Sequence, residues 1–478
     1  MYTFLISICL LILGYVFYGK FIERIFGIDK NRTTPAYTLQ DGVDYVPLSW
    51  SKIFLIQFLN IAGLGPIFGA ILGAMYGPVA FLWIVFGNIL GGALHDYFSG
   101  MISIRNNGIS LPEIVGKYMG NAIKYFMRAF TIFLMILVGA VFVMGPAQII
   151  QTLTSGYFPI ALWIGIIFGY YIIASLLPID KIIGRIYPVF GFTLLFMAVG
   201  IMTMLFVKGF TIPELTSETL SNMHHKSQSF HIFPMMFVTI ACGAISGFHS
   251  TQSPLMARCL KNEAMGRRVF YGAMIAEGIV ALIWAAAGMA FWGGISELNQ
   301  VMAQNNENAA WAVNEISVSM LGKFGALLAL IGVVAAPITS ADTAFRSARL
   351  IIADFLKINQ KPLKNRLMVS IPIFITGFII SQTNFGIIWR YMAWSNQTLA
   401  MIVLWTISVY LATEKKPYII ALIPAMFMTA VCSSYILTSP EGFQIQYHIS
   451  LIISFAFTLT CTGIFFWHIL KKKLIPDP

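Results

Sequence analysis

The chain has 478 residues, of which 58% are hydrophobic and only 10% charged, with a formal net charge of +11. Proteins that live in water devote about a quarter of their residues to charge, so this composition excludes a soluble protein. Five widely separated cysteines (Cys9, Cys242, Cys259, Cys432 and Cys461), with no CxxC or Cys/His spacing, also exclude a zinc ribbon or a disulfide framework.

Apolar stretches long enough to cross about 30 Å of hydrocarbon recur from end to end. In chain order they lie near 3–19, 53–75, 79–101, 124–145, 159–177, 187–207 and 232–255. They continue near 269–292, 319–345, 368–383, 387–411, 418–437 and 448–470. The pattern predicts an all-α polytopic membrane protein with about thirteen transmembrane helices, in one domain over 1–478. The run from Met1 to Phe17 lacks a basic n-region and a small-residue cleavage site, so it reads as a retained helix. The connections 20–52, 208–231 and 293–318 are the longest, and none is large enough for an ordinary folded domain.

Of the 30 lysines and arginines, all but Lys208, Lys226, Lys323 and Arg390 fall in alternate connections. By the positive-inside rule the N-terminus lies outside and the C-terminus in the cytoplasm. The net charge therefore reads as topology plus attraction to anionic lipid, with no nucleic acid, soluble protein partner or cofactor implied.

Two of the expected helices look broken. The second reads Gln57-Phe-Leu-Asn60-Ile-Ala-Gly63-Leu-Gly65-Pro66, where proline removes a backbone donor and glycine tolerates non-helical angles. The seventh reads Gly243-Ala-Ile-Ser246-Gly247-Phe-His249-Ser250-Thr251-Gln252-Ser253-Pro254, with glycines, hydroxyls, a histidine and a glutamine inside an apolar span. Gly63 follows Lys52 by eleven residues and Gly247 precedes Arg258 by eleven, so both breaks lie about 16 Å deep, near the midplane. The two segments run in opposite directions by the charge pattern. Interrupted spans at matching positions of inverted halves point to the binding site of a secondary transporter. Packing alone, through Gly65, Gly69, Gly73 and Gly77 at four-residue spacing, explains the glycines but not the clustered polar side chains.

The substrate site is accordingly expected at Gln57, Asn60, Gly63, Gly65 and Pro66, facing Ser246, Gly247, His249, Ser250 and Gln252. His249 titrates near physiological pH, which suits proton coupling; its alternative is a structural imidazole. Glu277 lies about 13 Å into the eighth span, where a lone carboxylate must be protonated, paired or part of a proton path. His95 and Asp96, at the inner end of the third span, are a gate or polar cap, or two of the ligands of a metal site completed from another helix.

At these residues the chain resembles the carbon starvation protein A (CstA) family. The resemblance rests on Gln40-Asp-Gly-Val-Asp-Tyr-Val-Pro47, Ala62-Gly-Leu-Gly-Pro-Ile-Phe-Gly-Ala70 and Gly91-Gly-Ala-Leu-His95-Asp96-Tyr-Phe-Ser-Gly100. Gly243 to Ser253 and Ala336-Pro-Ile-Thr-Ser-Ala-Asp-Thr-Ala-Phe-Arg-Ser-Ala-Arg349 carry it further, over most of residues 1–370. It implies a LeuT-like 5+5 inverted repeat, with 53–207 and 232–411 as the two repeats and 3–19 and 418–470 peripheral. It also implies import of a small carboxylate such as pyruvate, or of short peptides, across the cell inner membrane during carbon starvation. The coupling ion is then H⁺ or Na⁺. In such a fold Thr339, Ser340, Asp342 and Thr343 face the first broken helix as a cation site, whereas the local pattern alone would pair Asp342 with Arg346 one turn on. Lys181 and Arg185 open the sixth span, where a basic residue can replace a coupling sodium in some relatives of this fold; the alternative is that they are ordinary positive-inside residues. The competing functions are a Na⁺-coupled amino-acid carrier and, in another class, a membrane-embedded enzyme using His95, Asp96, His249 and Glu277. Against the enzyme, no HExxH or GxSxG motif appears.

Overall fold

A computed structural model describes residues 1–154, 156–176 and 183–474. In chain order its helices begin with α1 (Tyr2–Phe26), α2 (Trp50–Ile61), α3 (Gly65–Ala74), α4 (Val79–Arg105), α5 (Leu111–Met119) and α6 (Asn121–Leu153). Next come α7 (Ile160–Leu176), α8 (Ile183–Val207), α9 (His249–Ala257), α10 (Glu263–Phe291), α11 (Ile295–Gln304) and α12 (Ala309–Ala329). The last five are α13 (Ala335–Leu356), α14 (Leu363–Ile380), α15 (Phe385–Thr413), α16 (Ile419–Thr438) and α17 (Tyr447–Leu474). Extended pairing among the described residues is limited to one isolated bridge, Leu48 with Leu260. Helices dominate because a backbone in hydrocarbon must satisfy its polar groups within its own segment.

Among the described residues, nine helices are long and apolar enough to cross a bilayer: α1, α4, α6, α8, α10 and α14 to α17. The pair α2 and α3, bent by 57°, makes a tenth. The chain is an integral, multi-pass membrane protein. The expected stretch at 159–177 is α7, that at 232–255 is helical over Ile232–Thr239 and unwound from there to α9, and that at 319–345 spans α12, which kinks at Gly322, and α13. One expectation needs correction: the first helix does not stop near residue 19 but continues to Phe26. The connection 293–318 holds α11 and the start of α12. Lys181 and the side chain of Arg185 lie outside the described residues.

Helix α10 lies at the centre, with 83% of its apolar window buried, whereas α1 and α17 are each only 22% buried. These outer helices expose Ile6, Phe17, Ile452 and Phe455, side chains that only lipid or another apolar surface solvates well. The start of α1 is tied to the 208–231 connection. There the Glu214 carboxylate accepts the Tyr2 and Thr3 N–H groups at 2.7 and 2.8 Å, satisfying two orphan donors of the first turn. Slight burial would raise the Glu214 carboxyl, but these bonds and the terminal amine outweigh it and hold it at about 2.

Candidate functional site

The two breaks adjoin. A methyl group built on Gly65 would overlap the Cys242 side chain, so only glycine lets α3 approach the second break this closely. Gly243, at φ +90°, turns that second segment in a backbone region that side chains disfavour. Between Thr239 and His249 the chain forms no continuous helix, which leaves carbonyls and N–H groups to be satisfied from elsewhere.

Side chains from two neighbouring helices satisfy them. From α4, Trp83 Nε1 donates to Ile240 O at 3.0 Å, and Asn88 Nδ2 donates to Gly243 O at 2.8 Å and Met274 O at 2.7 Å. From α15, Asn396 Oδ1 accepts the Phe248 N–H at 2.6 Å and Asn396 O accepts the Gly247 N–H at 3.1 Å. Ser246 Oγ and Asn396 Nδ2 lie 2.9 Å apart. The first break is braced from α13, where Ser340 Oγ donates to Leu59 O at 3.1 Å. Gln57 Nε2 donates to Ser253 Oγ at 3.3 Å, linking α2 to α9.

Beside the second break stands a buried chain of titratable groups. His95 Nδ1 is 2.8 Å from Asp96 Oδ1, Asp96 Oδ2 is 3.0 Å from His249 Nδ1, and His249 Nε2 is 3.5 Å from Glu277 Oε2. All four side chains are fully buried. The pair His95–Asp96, read from sequence as a gate or cap at the inner end of its helix, therefore sits deep in the bundle against α9. The helix runs on to Arg105, which moves that pair towards the middle.

The remaining expected residues divide. Asn60 is buried, and neither atom of its amide hydrogen-bonds a described residue, which leaves both for a solute or water. Ser250 Oγ donates to Gly247 O at 2.6 Å, and Gln252 Nε2 donates to Thr251 Oγ1 at 2.9 Å, so both serve local structure first. Thr339 and Thr343 donate to carbonyls of their own helix, Ala336 O at 2.8 Å and Ser340 O at 3.0 Å. Asp342 does not pair with Arg346: its Oδ2 accepts the Tyr187 hydroxyl at 2.6 Å. Arg346 turns to Ala174 O at 3.2 Å and Asp44 Oδ1 at 3.5 Å, since an i,i+4 pair worth a few tenths of a kcal/mol yields to a buried shared carboxylate.

Asp44 is one of the residues sequence reading missed. It also meets Arg349 Nη2 at 3.6 Å, with Arg258 and Arg366 nearby, at the end of the bundle opposite the 208–231 connection. Burial pushes its carboxyl up, but Arg349, Arg346, Arg258 and Arg366 together hold it below the ordinary range. Asn88, Cys242 and Asn396 were missed as well. Their only sequence signal is a polar side chain within an apolar run, the kind of residue that spans retain for packing or function.

A cavity of about 530 Å³ opens at the other end, between Tyr76, His224, Glu307, Asn308, Trp389 and Arg390. Thr239, Trp389 and Ala393 line both this vestibule and a smaller void at the breaks, whose wall includes Gly65, Cys242 and Asn396. The arrangement thus sets an open cavity next to the two unwound segments, with the titratable chain buried on from them.

Comparison with known proteins gives a family model, Carbon starvation protein CstA, that matches residues 1–168 and 157–325. An uncharacterized membrane protein of Haemophilus influenzae is 47% identical over 339 residues, 61% of this chain and 91% of its own length. The peptide transporter CstA of Campylobacter jejuni is 29% identical over 59% of this chain, and the pyruvate/proton symporter BtsT of Escherichia coli 28% identical over 58%. The match spans about half the length of each of those two relatives, 49% and 47%. Among solved structures, a manganese transporter of Eremococcus coleocola superposes with a TM-score of 0.56 at 15% identity, over 90% of this chain and 98% of that one. That likeness shows a shared fold.

Proposed function

The chain belongs to the carbon starvation protein CstA family, and from that membership we propose that it is a secondary active transporter of the cell inner membrane. Its substrate is a small carboxylate such as pyruvate, or a short peptide, and its driving force is the proton gradient. Relatives that are a peptide transporter and a pyruvate/proton symporter, and a fold shared with another transporter, support carriage over catalysis.

One observation carries the reading: two unwound segments, reached from an open cavity through a shared wall, meet beside a buried His–Asp–His–Glu chain. The ends of discontinuous helices offer a carboxylate partial positive charge, and Asn60 adds an uncommitted amide. His249 links α4 to α10 through Asp96 and Glu277, so gain or loss of a proton there alters how three elements hold together. In this reading about thirteen spans form the bundle. Residues 53–207 and 232–411 are its inverted five-helix repeats, and the first helix and 418–470 are peripheral. The vestibule, which bears Arg390, faces outside with the N-terminus, and the Asp44 cluster closes the cytoplasmic end.

The test is uptake of labelled pyruvate and of a dipeptide into proteoliposomes, with pH and sodium gradients imposed separately. Accumulation of one solute under the pH gradient is expected; if purified protein moves neither, nor any related metabolite, under either gradient, the reading fails. Glu277→Gln should lower gradient-driven accumulation at least tenfold while leaving counterflow, and unchanged accumulation removes Glu277 from coupling. A sodium-driven carrier is the second reading, favoured by Ser340 Oγ lying against Leu59 O at the first break, and a response to the sodium gradient alone would select it.

A further inference from the structure

Three potential ligand atoms converge where the second break meets α10. Cys242 Sγ, a ring nitrogen of His249 and a carboxylate oxygen of Glu277 all lie within 4.8 Å of one another, and all three residues are buried. His249 Nε2 and Glu277 Oε2 are 3.5 Å apart. Two ligands each about 2.1 Å from one tetrahedral ion are about 3.4 Å apart, so this edge already has the length that coordination requires.

The hydrogen bonding points the same way. Neither His249 Nε2 nor either Glu277 oxygen hydrogen-bonds any described residue, although all are buried. The opposite ring nitrogen, Nδ1, is held by Asp96 Oδ2 at 3.0 Å, and Asp96 is held in turn by His95 at 2.8 Å. A carboxylate on the far nitrogen is what orients a metal-binding imidazole and fixes its tautomer. Such orphaned atoms cost free energy in an apolar interior unless something occupies the space between them.

We propose that Cys242, His249 and Glu277 form a binding site for a divalent transition-metal ion of the borderline-soft class typified by Zn²⁺. One thiolate and one carboxylate neutralise the two charges of the ion, which a buried site demands. The mixed sulfur, nitrogen and oxygen set selects against Mg²⁺ and Ca²⁺, which prefer all-oxygen shells. Binding releases the Cys242 thiol proton, and any proton on the other two groups, to solvent. Beside Cys242 lies a small void that it lines with Gly65, Phe142 and Asn396, about 20 Å³ and large enough for one water. His95 and Asp96 are not ligands here; they hold the ligating ring from behind.

Co²⁺ titration of the purified full-length chain in detergent tests this. A thiolate-to-cobalt charge-transfer absorption should saturate at one ion per chain and be displaced by Zn²⁺ but not by Mg²⁺. Cys242→Ser should abolish that band, and Glu277→Gln should weaken Co²⁺ binding at least tenfold. Cys432→Ser, at a buried cysteine on another helix, should change neither. The proposal is overturned by the absence of the band in wild-type protein, or by an undiminished band in Cys242→Ser protein that elutes as a monodisperse peak. The spectrum requires no transport. Uptake without the band leaves the carrier standing and removes the metal site; the band without uptake does the reverse.

Discussion

At the scale of single residues, the site depends on amides that hold an unwound backbone in place. Asn396 is the clearest case, because its one side chain accepts the Phe248 N–H and contacts Ser246. Asn396→Ala leaves a buried N–H without its acceptor, which costs about 1–3 kcal/mol. A lower thermal midpoint in detergent is expected, together with uptake reduced at least tenfold; wild-type values for both would dismiss the bracing role. Cys242 shows how a residue escapes notice when read locally. In sequence it is one small side chain in an apolar run, and only the fold sets it beside His249 and Glu277, seven and 35 positions away.

At the scale of elements, the decisive feature is that two helices stop and restart. Gly63, Gly65 and Pro66 announce the first break, and Gly243 and Gly247 the second, because proline and glycine are where a helix in lipid gives way. What the pattern could not announce is how the breaks are satisfied: Asn88 and Trp83 reach across from α4, more than 150 residues earlier in the chain. Gly65→Ala tests their closeness, since its methyl group would overlap Cys242. Overpacking of this kind costs about 1–3 kcal/mol. Thermal stability should fall by that amount and uptake by at least tenfold, whereas a silent substitution would mean that the segments separate readily.

At the scale of the whole molecule, the chain has a cavity at one end and, at the other, Asp44 buried among four arginines. Because neighbouring arginines depress the Asp44 carboxyl in the folded state, its contribution is complete above the ordinary carboxylate range and is lost as pH falls through and below it. Asp44→Asn should cost about 3–5 kcal/mol at neutral pH, leaving buried guanidinium groups uncompensated, and should flatten the acid limb of the stability profile. An acid limb as steep in the variant as in the wild type would assign it to other groups. Orientation is tested by labelling in cells, in a background lacking the exposed Cys9 and the half-buried Cys461. An impermeant thiol reagent should modify Asn308→Cys from outside and Lys357→Cys only after permeabilisation; the opposite pattern would invert the bundle.

What the sequence determined by itself was the solvent, the secondary structure and the two points of failure. Hydropathy, the distribution of basic residues, and proline or glycine within an apolar run are local properties, and a bilayer enforces them locally. Only the tertiary structure decided the partners. Asp342 goes to Tyr187, Arg346 to Asp44, and Asp96 to His249, because a buried charge takes the nearest complementary group in space, whatever the separation along the chain.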